Sequence, residues 1–425
     1  MLDNLSIHNY KSIRNLNLRS LPAFSVLVGA NASGKSNFAD ALDFLSLVFR
    51  GGLASAVRAK GGYENICFRR AKRSKGDLEF GFKTSIPESE RLPRRKRVEL
   101  SYTFSYSFAF RAMAQRIAAD YEVTKEEITV EIQGPEPADR GRIHLWRSKG
   151  MERAVEAQFS GAISEMMPSA EFYQDYPRRA RVPEYELFVP TWWTHLPPFH
   201  LLRRLFESCR VYQISPHEAR QTGVPERSPE LGRHGENLPA AVDYLKRSDA
   251  DAFNELLAHL KHTVPSIERL ETHYVETKQL GLFFKEMGVG RPWFSQDVSD
   301  GTIQTVSIFL PLVDPRTRIL VIDEPENSLH PWILRHFIES CKLQSENKQI
   351  FIATQSLVAV NEVPPESLYI VRRTEGETTI ERCVERYPEA KEVISQQLLG
   401  LGDYWDTGGL GAIPEYGEQL RLLED

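Results

Sequence analysis

The chain has 425 residues, a formal net charge of −5, 41% hydrophobic residues and 26% charged residues. This balance is ordinary for a globular protein, leaves room for two or three domains or one domain with a large insertion, and excludes a uniformly basic nucleic-acid binder. No apolar run reaches bilayer length, and Met1 leads almost at once into a strand pattern without a basic-then-apolar leader, which predicts a cytoplasmic protein. Cys67, Cys209, Cys341 and Cys383 are scattered with no C-x-x-C pair, so they read as free thiols rather than a metal site or disulfide frame.

Residues 1–28 read as strands. Leu2, Leu5 and Ile7 begin one, Ile13, Leu16 and Leu18 continue after a turn, and Phe24-Ser25-Val26-Leu27-Val28 forms a buried run. Gly29-Ala30-Asn31-Ala32-Ser33-Gly34-Lys35-Ser36 follows and fits the phosphate-cradling pattern G-x-x-x-x-G-K-[ST]. Phe38, Ala41, Leu42, Leu45, Val48 and Phe49 then recur at helical spacing. Strand, glycine loop and helix are the setting in which backbone N–H groups and a helix N-terminus converge on phosphate, Lys35 reaches the outer phosphates and the Ser36 hydroxyl holds Mg²⁺.

Asn9-Tyr10-Lys11-Ser12 and the loop ending Gly34-Lys35-Ser36-Asn37 resemble the N-terminus of the RecF/SMC/OLD branch of ABC-type ATPases. The resemblance implies an α/β fold, an ABC-type P-loop head with a mixed sheet, and ATP and Mg²⁺ as cofactors.

Glycine-rich residues 51–62 read as loops. Leu78 to Thr84 and Val98 to Phe108 read as strands around an exposed basic tip, Arg91-Leu92-Pro93-Arg94-Arg95-Lys96-Arg97. Arg69, Arg70, Lys72, Arg73 and Lys75 form a second basic cluster. Each is a solvated loop or a phosphate contact to DNA. Residues 110–126 read as helix, and Ile128 to Ile132 and Arg142 to Arg147 as strands. Residues 160–200 carry Trp192-Trp193 and the loop or packing histidines His195 and His200. Leu201 to Ser208 reads as helix, Val211 to Ile214 as a strand, 215–236 as a loop, Leu238 to Lys246 and Ala250 to His262 as amphipathic helices, and Glu268 to Thr277 with Leu280 to Glu286 as a hairpin. No heptad pattern persists, so the insertion is expected to be globular and mainly helical rather than a coiled coil.

Arg318-Ile319-Leu320-Val321-Ile322-Asp323-Glu324-Pro325 is an apolar strand ending in two acids. Asp323 is placed to hold Mg²⁺ opposite Ser36, and Glu324 to act as general base. Val298-Ser299-Asp300-Gly301-Thr302, ahead of a helix over Thr302 to Leu312, resembles the ABC signature. Ser299, Asp300 and Gly301 would then face the nucleotide of a partner copy in a head-to-tail dimer. Pro325-Glu326-Asn327-Ser328-Leu329-His330-Pro331 resembles the family's D-loop, with His330 more structural than catalytic.

The strand Lys348 to Thr354 ends where the family carries a switch histidine; this chain has Gln355, which can donate a hydrogen bond but cannot carry positive charge. Gln213 is the candidate Q-loop ligand of the metal. Leu368 to Val371 and Thr378 to Val384 read as closing strands, and the glycine-rich tail from Leu399 to Gly411 suits either partner docking or a surface cap.

The expected organisation is an N-terminal ATPase lobe over 1–110, an inserted helical or mixed region over 111–290, a C-terminal lobe over 291–385 and a tail over 386–425. Gly29, Asn31, Ala32, Ser33, Gly34, Lys35, Ser36 and Asn37 are expected to bind nucleotide, and Glu324, Lys35 and Gln355 to carry the chemistry. The resemblance implies an ATP-gated dimer that hydrolyses ATP slowly. As the regulator of a bacterial anti-phage system it would control a separate toxin or Toprim-like nuclease, since too few residues follow the closing strands for a nuclease domain. A RecF-like clamp on duplex DNA and a non-catalytic ATP-dependent scaffold are the alternatives. No membrane partner is expected.

Overall fold

In the computed structural model, the structure describes residues 1–68, 76–91, 97–113, 121–148, 154–179, 182–192, 197–276, 278–390 and 400–410. The chain opens with β1 (Leu2–Tyr10), β2 (Ile13–Leu18), β3 (Phe24–Val28), α1 (Lys35–Gly51), α2 (Leu53–Ala59) and α3 (Tyr63–Ile66). Long strands β4 (Leu78–Arg91), β5 (Arg97–Ala112), β6 (Tyr121–Gln133), β7 (Arg140–Ser148) and β8 (Ala154–Phe159) follow. Next come α4 (Ile163–Met166), α5 (Ala170–Arg179), α6 (Phe188–Trp192), α7 (His200–Glu207), β9 (Cys209–Tyr212), α8 (Pro216–Ala219), α9 (Leu238–Ser248) and α10 (Ala250–Thr263). The remainder is β10 (Ile267–Tyr274), β11 (Leu280–Glu286), β12 (Trp293–Phe294), α11 (Asp300–Val313), β13 (Ile319–Asp323), α12 (Pro331–Gln344), β14 (Gln349–Thr354), α13 (Leu357–Asn361), β15 (Leu368–Thr374), β16 (Glu377–Arg382), α14 (Cys383–Arg386) and α15 (Leu401–Asp406).

Two compact units divide these elements. The first comprises Met1–Pro22, Asp40–Glu207 and Arg373–Thr379. It is built on a seven-stranded sheet of order β2-β1-β4-β5-β6-β7-β8, antiparallel at every pairing. One face buries Phe80, Phe82, Phe104, Tyr106, Phe108 and Phe110, which alternate along β4 and β5 as the period of two requires. Phe44 stacks on Phe80 with ring centroids 5.3 Å apart, and Phe49 on Phe206 at 4.4 Å. Fully buried Glu126 accepts hydrogen bonds from the Phe188 N–H at 2.9 Å, the Val189 N–H at 2.8 Å and the Tyr106 hydroxyl at 2.9 Å, and so closes the N-terminus of α6. Asp40 accepts from the Tyr10 hydroxyl at 2.6 Å and pairs with Lys60 and Lys11. That charge cluster holds its carboxyl well below the usual range against the opposing effect of burial.

The second unit comprises Ala23–Ala39, Ser208–Arg372 and the residues from Ile380 on. Its six-stranded sheet runs β16-β15-β3-β14-β13-β9, and β15, β3, β14, β13 and β9 are parallel neighbours. Every residue of β3, β13 and β14 is buried, as expected for parallel strands covered on both faces. Helices α9 to α12 supply much of the rest of this core, among them Leu256, Leu260, Phe309 and Phe337. Between α10, α11 and α12 the His259 Nδ1 lies 2.9 Å from the His336 Nε2, and the His259 ring stacks on Phe309.

Four expectations change. Residues 110–112 and 121–126 are strand rather than helix, continuing β5 and β6. The glycine-rich stretch over 51–62 holds α2, with Gly52 and Gly62 at the N-caps of α2 and α3. The loop over 215–236 contains one helical turn, α8. The insertion between the phosphate loop and α11 is not mainly helical as expected, but mixes strands β4 to β12 with helices α2 to α10. The basic residues Arg69, Arg70, Lys72, Arg73, Lys75, Arg94, Arg95 and Lys96, together with Trp193 and His195, lie outside the described residues. Cys67, Cys209, Cys341 and Cys383 are buried and form no disulfide. Among the described residues no helix is long and apolar enough to cross a membrane.

Candidate functional site

Strand β3 ends under β15, and the phosphate loop begins there. A Cβ on Gly29 would stand 2.2 Å from the Val371 carbonyl oxygen, so only glycine fits. Gly34 has φ of 110°, which lets the loop turn into α1, and its carbonyl accepts the first helical bond, from the Asn37 N–H at 3.0 Å. Asn31, Ala32 and Ser36 are exposed along this loop, whereas Ser33 and Lys35 are buried. The Lys35 ammonium donates to the Gly29 carbonyl at 2.7 Å and the Ala30 carbonyl at 3.1 Å. Burial pulls its pKa down, opposed by Glu324, Asp323 and Glu326.

Those acids come from the tip of β13. Asp323 pairs with Ala353 at the end of the β13–β14 ladder and is 2% exposed, and neither of its carboxylate oxygens has a protein hydrogen-bond partner. Burial pushes its carboxyl up, while the nearby Ser36 hydroxyl and the Lys35 and Arg233 charges favour the ionised form. Glu324 turns the chain at φ of 52°, with its N–H donating to the Ala353 carbonyl at 2.8 Å and its carboxylate accepting from the Asn327 side chain at 3.3 Å. Glu326 accepts the Gln355 N–H at 2.9 Å through one oxygen, its other oxygen is buried without a partner, and burial raises its carboxyl. Gln355 itself is exposed, and Ser356 beside it caps α13. His330 caps α12, its ring accepting from the Trp332 N–H at 3.4 Å.

Lys35, Ser36, Asp323, Glu324 and Glu326 thus gather at one end of a parallel sheet, where strand tips meet a helix N-terminus. Gln213 follows β9, its N–H donating to the Arg233 carbonyl at 2.9 Å and its carbonyl lying 2.9 Å from the His234 Nδ1. The signature residues gather in a different set. Ser299 caps α11, its hydroxyl accepting from the Thr302 N–H at 3.2 Å, Asp300 pairs with Arg220, and Gly301 lies against the Ser328 carbonyl.

Sequence reasoning missed Glu326 as a half-buried member of the acid set, although it stands in the same Glu-Pro-Glu run. It also missed Arg233, whose charge reaches Asp323, and Arg220; neither has a motif, and only the fold brings them in. Among the described residues no three His, Cys, Asp or Glu side chains form a cage for a metal. An orphaned buried carboxylate beside a hydroxyl instead fits Mg²⁺, which is commonly held by one or two protein oxygens plus substrate phosphates.

Solved SMC head domains are among the structures to which the chain is similar, each at a TM-score below 0.5. An SMC head bound to the C-terminal winged-helix domain of ScpA shares 12% identity at a TM-score of 0.42, covering 89% of this chain and 97% of that one. The Thermotoga maritima SMC head domain gives 13% and 0.37 over 90% and 98%. An SMC head with an extended coiled coil, bound to the C-terminal domain of ScpA from Pyrococcus furiosus, gives 12% and 0.40 over 94% and 99%. No curated protein sequence matches. A family profile described as "AAA domain, putative AbiEii toxin, Type IV TA system" matches residues 24–129 and 176–361, which include the phosphate loop, Gln213, the signature residues and the acidic strand tip. The chain belongs to this AAA-domain family.

Proposed function

We propose that this chain is an ATP-gated dimer switch that binds Mg·ATP, hydrolyses it slowly and controls a separate effector, a toxin or nuclease, in a bacterial defence or toxin–antitoxin setting. The observation that carries the reading is Asp323. A buried carboxylate with two unpartnered oxygens, beside the Ser36 hydroxyl and Lys35, is costly unless a cation completes it. Mg²⁺ would be held by Ser36 and Asp323, with Gln213 as the further ligand, and would supply charge neutralisation at the phosphates. Gly29 and residues 31–37 would wrap the phosphates with backbone N–H groups, and Lys35 would leave its loop carbonyls for the outer phosphates.

Glu324 would orient and deprotonate the attacking water. Gln355 would touch the terminal phosphate by hydrogen bonding alone, which favours slow turnover. Ser299, Asp300 and Gly301 would close over the ATP of a second copy, so ATP favours the closed dimer and hydrolysis reopens it. The family's printed description, which names a toxin and a toxin–antitoxin system, supports the toxin–antitoxin setting.

The test is light scattering of wild type and Glu324→Gln with and without Mg·ATP, beside phosphate release. An ATP-dependent doubling of mass, persistent in the mutant while turnover is lost, is the expected result. A mass unmoved by ATP with no phosphate release in wild type refutes the switch.

A further inference from the structure

Arg220 sits just past α8, seven residues beyond Gln213, and it ties that segment to the signature loop. Its side chain is 17% exposed. Nη2 donates to the Asp300 carboxylate, Nη1 to the Gln296 carbonyl at 3.0 Å, and Nε to the Pro216 carbonyl of its own turn at 3.3 Å. The main chain is gripped as well, because the fully buried Ser295 donates its hydroxyl to the Arg220 carbonyl at 2.8 Å. Toward Gln213 the path is equally short. Gln213 and Ser215 donate their N–H groups to the Arg233 and His234 carbonyls, both at 2.9 Å, and Gly235 of the same loop lies against Ala219 of α8. Arg233 is also the residue whose charge reaches Asp323.

We propose that Arg220 is a positioning residue that fixes the Ser299–Gly301 loop relative to the Gln213 segment, so that occupancy of one nucleotide site is passed to the loop the chain offers its partner copy. This rests on the switch reading above. The planar fork is what the task needs: four acceptors, on Pro216, Gln296, Val298 and Asp300, are met by one rigid group, which a lysine ammonium on a flexible stem cannot reproduce. A shift of the Gln213 segment on phosphate or metal contact moves Arg220, and with it Asp300 at the start of α11. Lys35, Ser36 and Asp323 do not depend on Arg220 for their places, so nucleotide binding and signature function separate.

The experiment measures ATP affinity, ATP-saturated phosphate release and melting temperature for full-length wild type, Arg220→Ala, Arg220→Lys and Asp300→Asn. Both Arg220 variants are expected to lose about tenfold or more in kcat with ATP affinity held within about twofold. Asp300→Asn, which keeps an acceptor for the fork, retains more activity than either. An Arg220→Lys variant with wild-type kcat overturns the proposal, and so does a parallel fall of kcat, affinity and melting temperature in both Arg220 variants. Wild type that binds no ATP overturns the switch reading itself, and the proposal with it; wild type that turns over beside an unaffected Arg220→Lys overturns the proposal alone.

Discussion

Replacing Asp323 by Asn is expected to stabilise the empty chain and to disable the loaded one. The side chain is 2% exposed and its two oxygens find no hydrogen bond, so the ionised form is held in place at a cost. A buried polar group without a partner costs about 1–3 kcal/mol, and a charged one more, part of which the neighbouring Lys35 offsets. Asparagine keeps the shape and removes the charge, so no cavity opens. The net gain without nucleotide is therefore about 1–2 kcal/mol, which for a chain of this length raises the melting temperature by roughly 1–2 °C.

Wild type in Mg·ATP at about a hundred times its Kd gains about 2.7 kcal/mol from binding. Asp323→Asn loses most of that gain. The order of the two melting temperatures should reverse between nucleotide-free buffer and saturating Mg with a slowly hydrolysed ATP analogue, read by scanning fluorimetry. A nucleotide-free Asp323→Asn that melts below wild type would refute the reasoning, and so would one that keeps the full Mg-dependent shift.

Two other substitutions test the physics of the frame. Glu126→Ala leaves the Phe188 and Val189 N–H groups and the Tyr106 hydroxyl without their acceptor, and should cost about 3–5 kcal/mol in urea unfolding; Glu126→Gln, which keeps an acceptor, should cost much less, and equal losses in the two would contradict the account. His259 has its pKa lowered to about 4, by burial first and by His336 and His262 beside it. The unfolded chain takes up that proton near pH 6.5 and the folded one resists it, so stability is full above 6.5 and falls as pH drops toward 4, by about 2 kcal/mol at pH 5. His259→Gln should flatten the change in urea midpoint between pH 7.5 and 5 by that amount, and an unchanged slope would show that the titration lies elsewhere.

The phosphate loop, the acidic strand tip and the capped signature were legible because each is a contiguous run whose function depends on local backbone shape. Strand β3, helix α1 and strand β13 fall where the apolar runs put them. The reading of 110–126 as helix failed for a physical reason. The register shift facing Ala109 and Phe110 leaves Thr124 as an extra residue on β6, which breaks the alternation there between Val123 and Glu126, and the inward position opposite Phe108 is taken by Glu126, a charge no periodicity rule places inside. Gly52 and Gly62 mislead in another way, since they punctuate helix starts rather than mark a loop. Arg220 and Arg233 were invisible because their meaning lies in residues far along the chain, Asp300 for one and Asp323 for the other.

The position of β3 has a bearing on how the protein is made. Its two hydrogen-bonded neighbours are β14 and β15, strands that leave the ribosome more than three hundred residues later, and the carbonyl that closes over Gly29 belongs to Val371. Until then Phe24–Val28 is an apolar strand with both edges bare, the kind of segment that pairs wrongly or recruits a chaperone. The phosphate loop therefore cannot take its final shape on a truncated chain. Nucleotide binding becomes a property only of nearly finished molecules, and a fragment released early would be unable to form the loop and prone to aggregate.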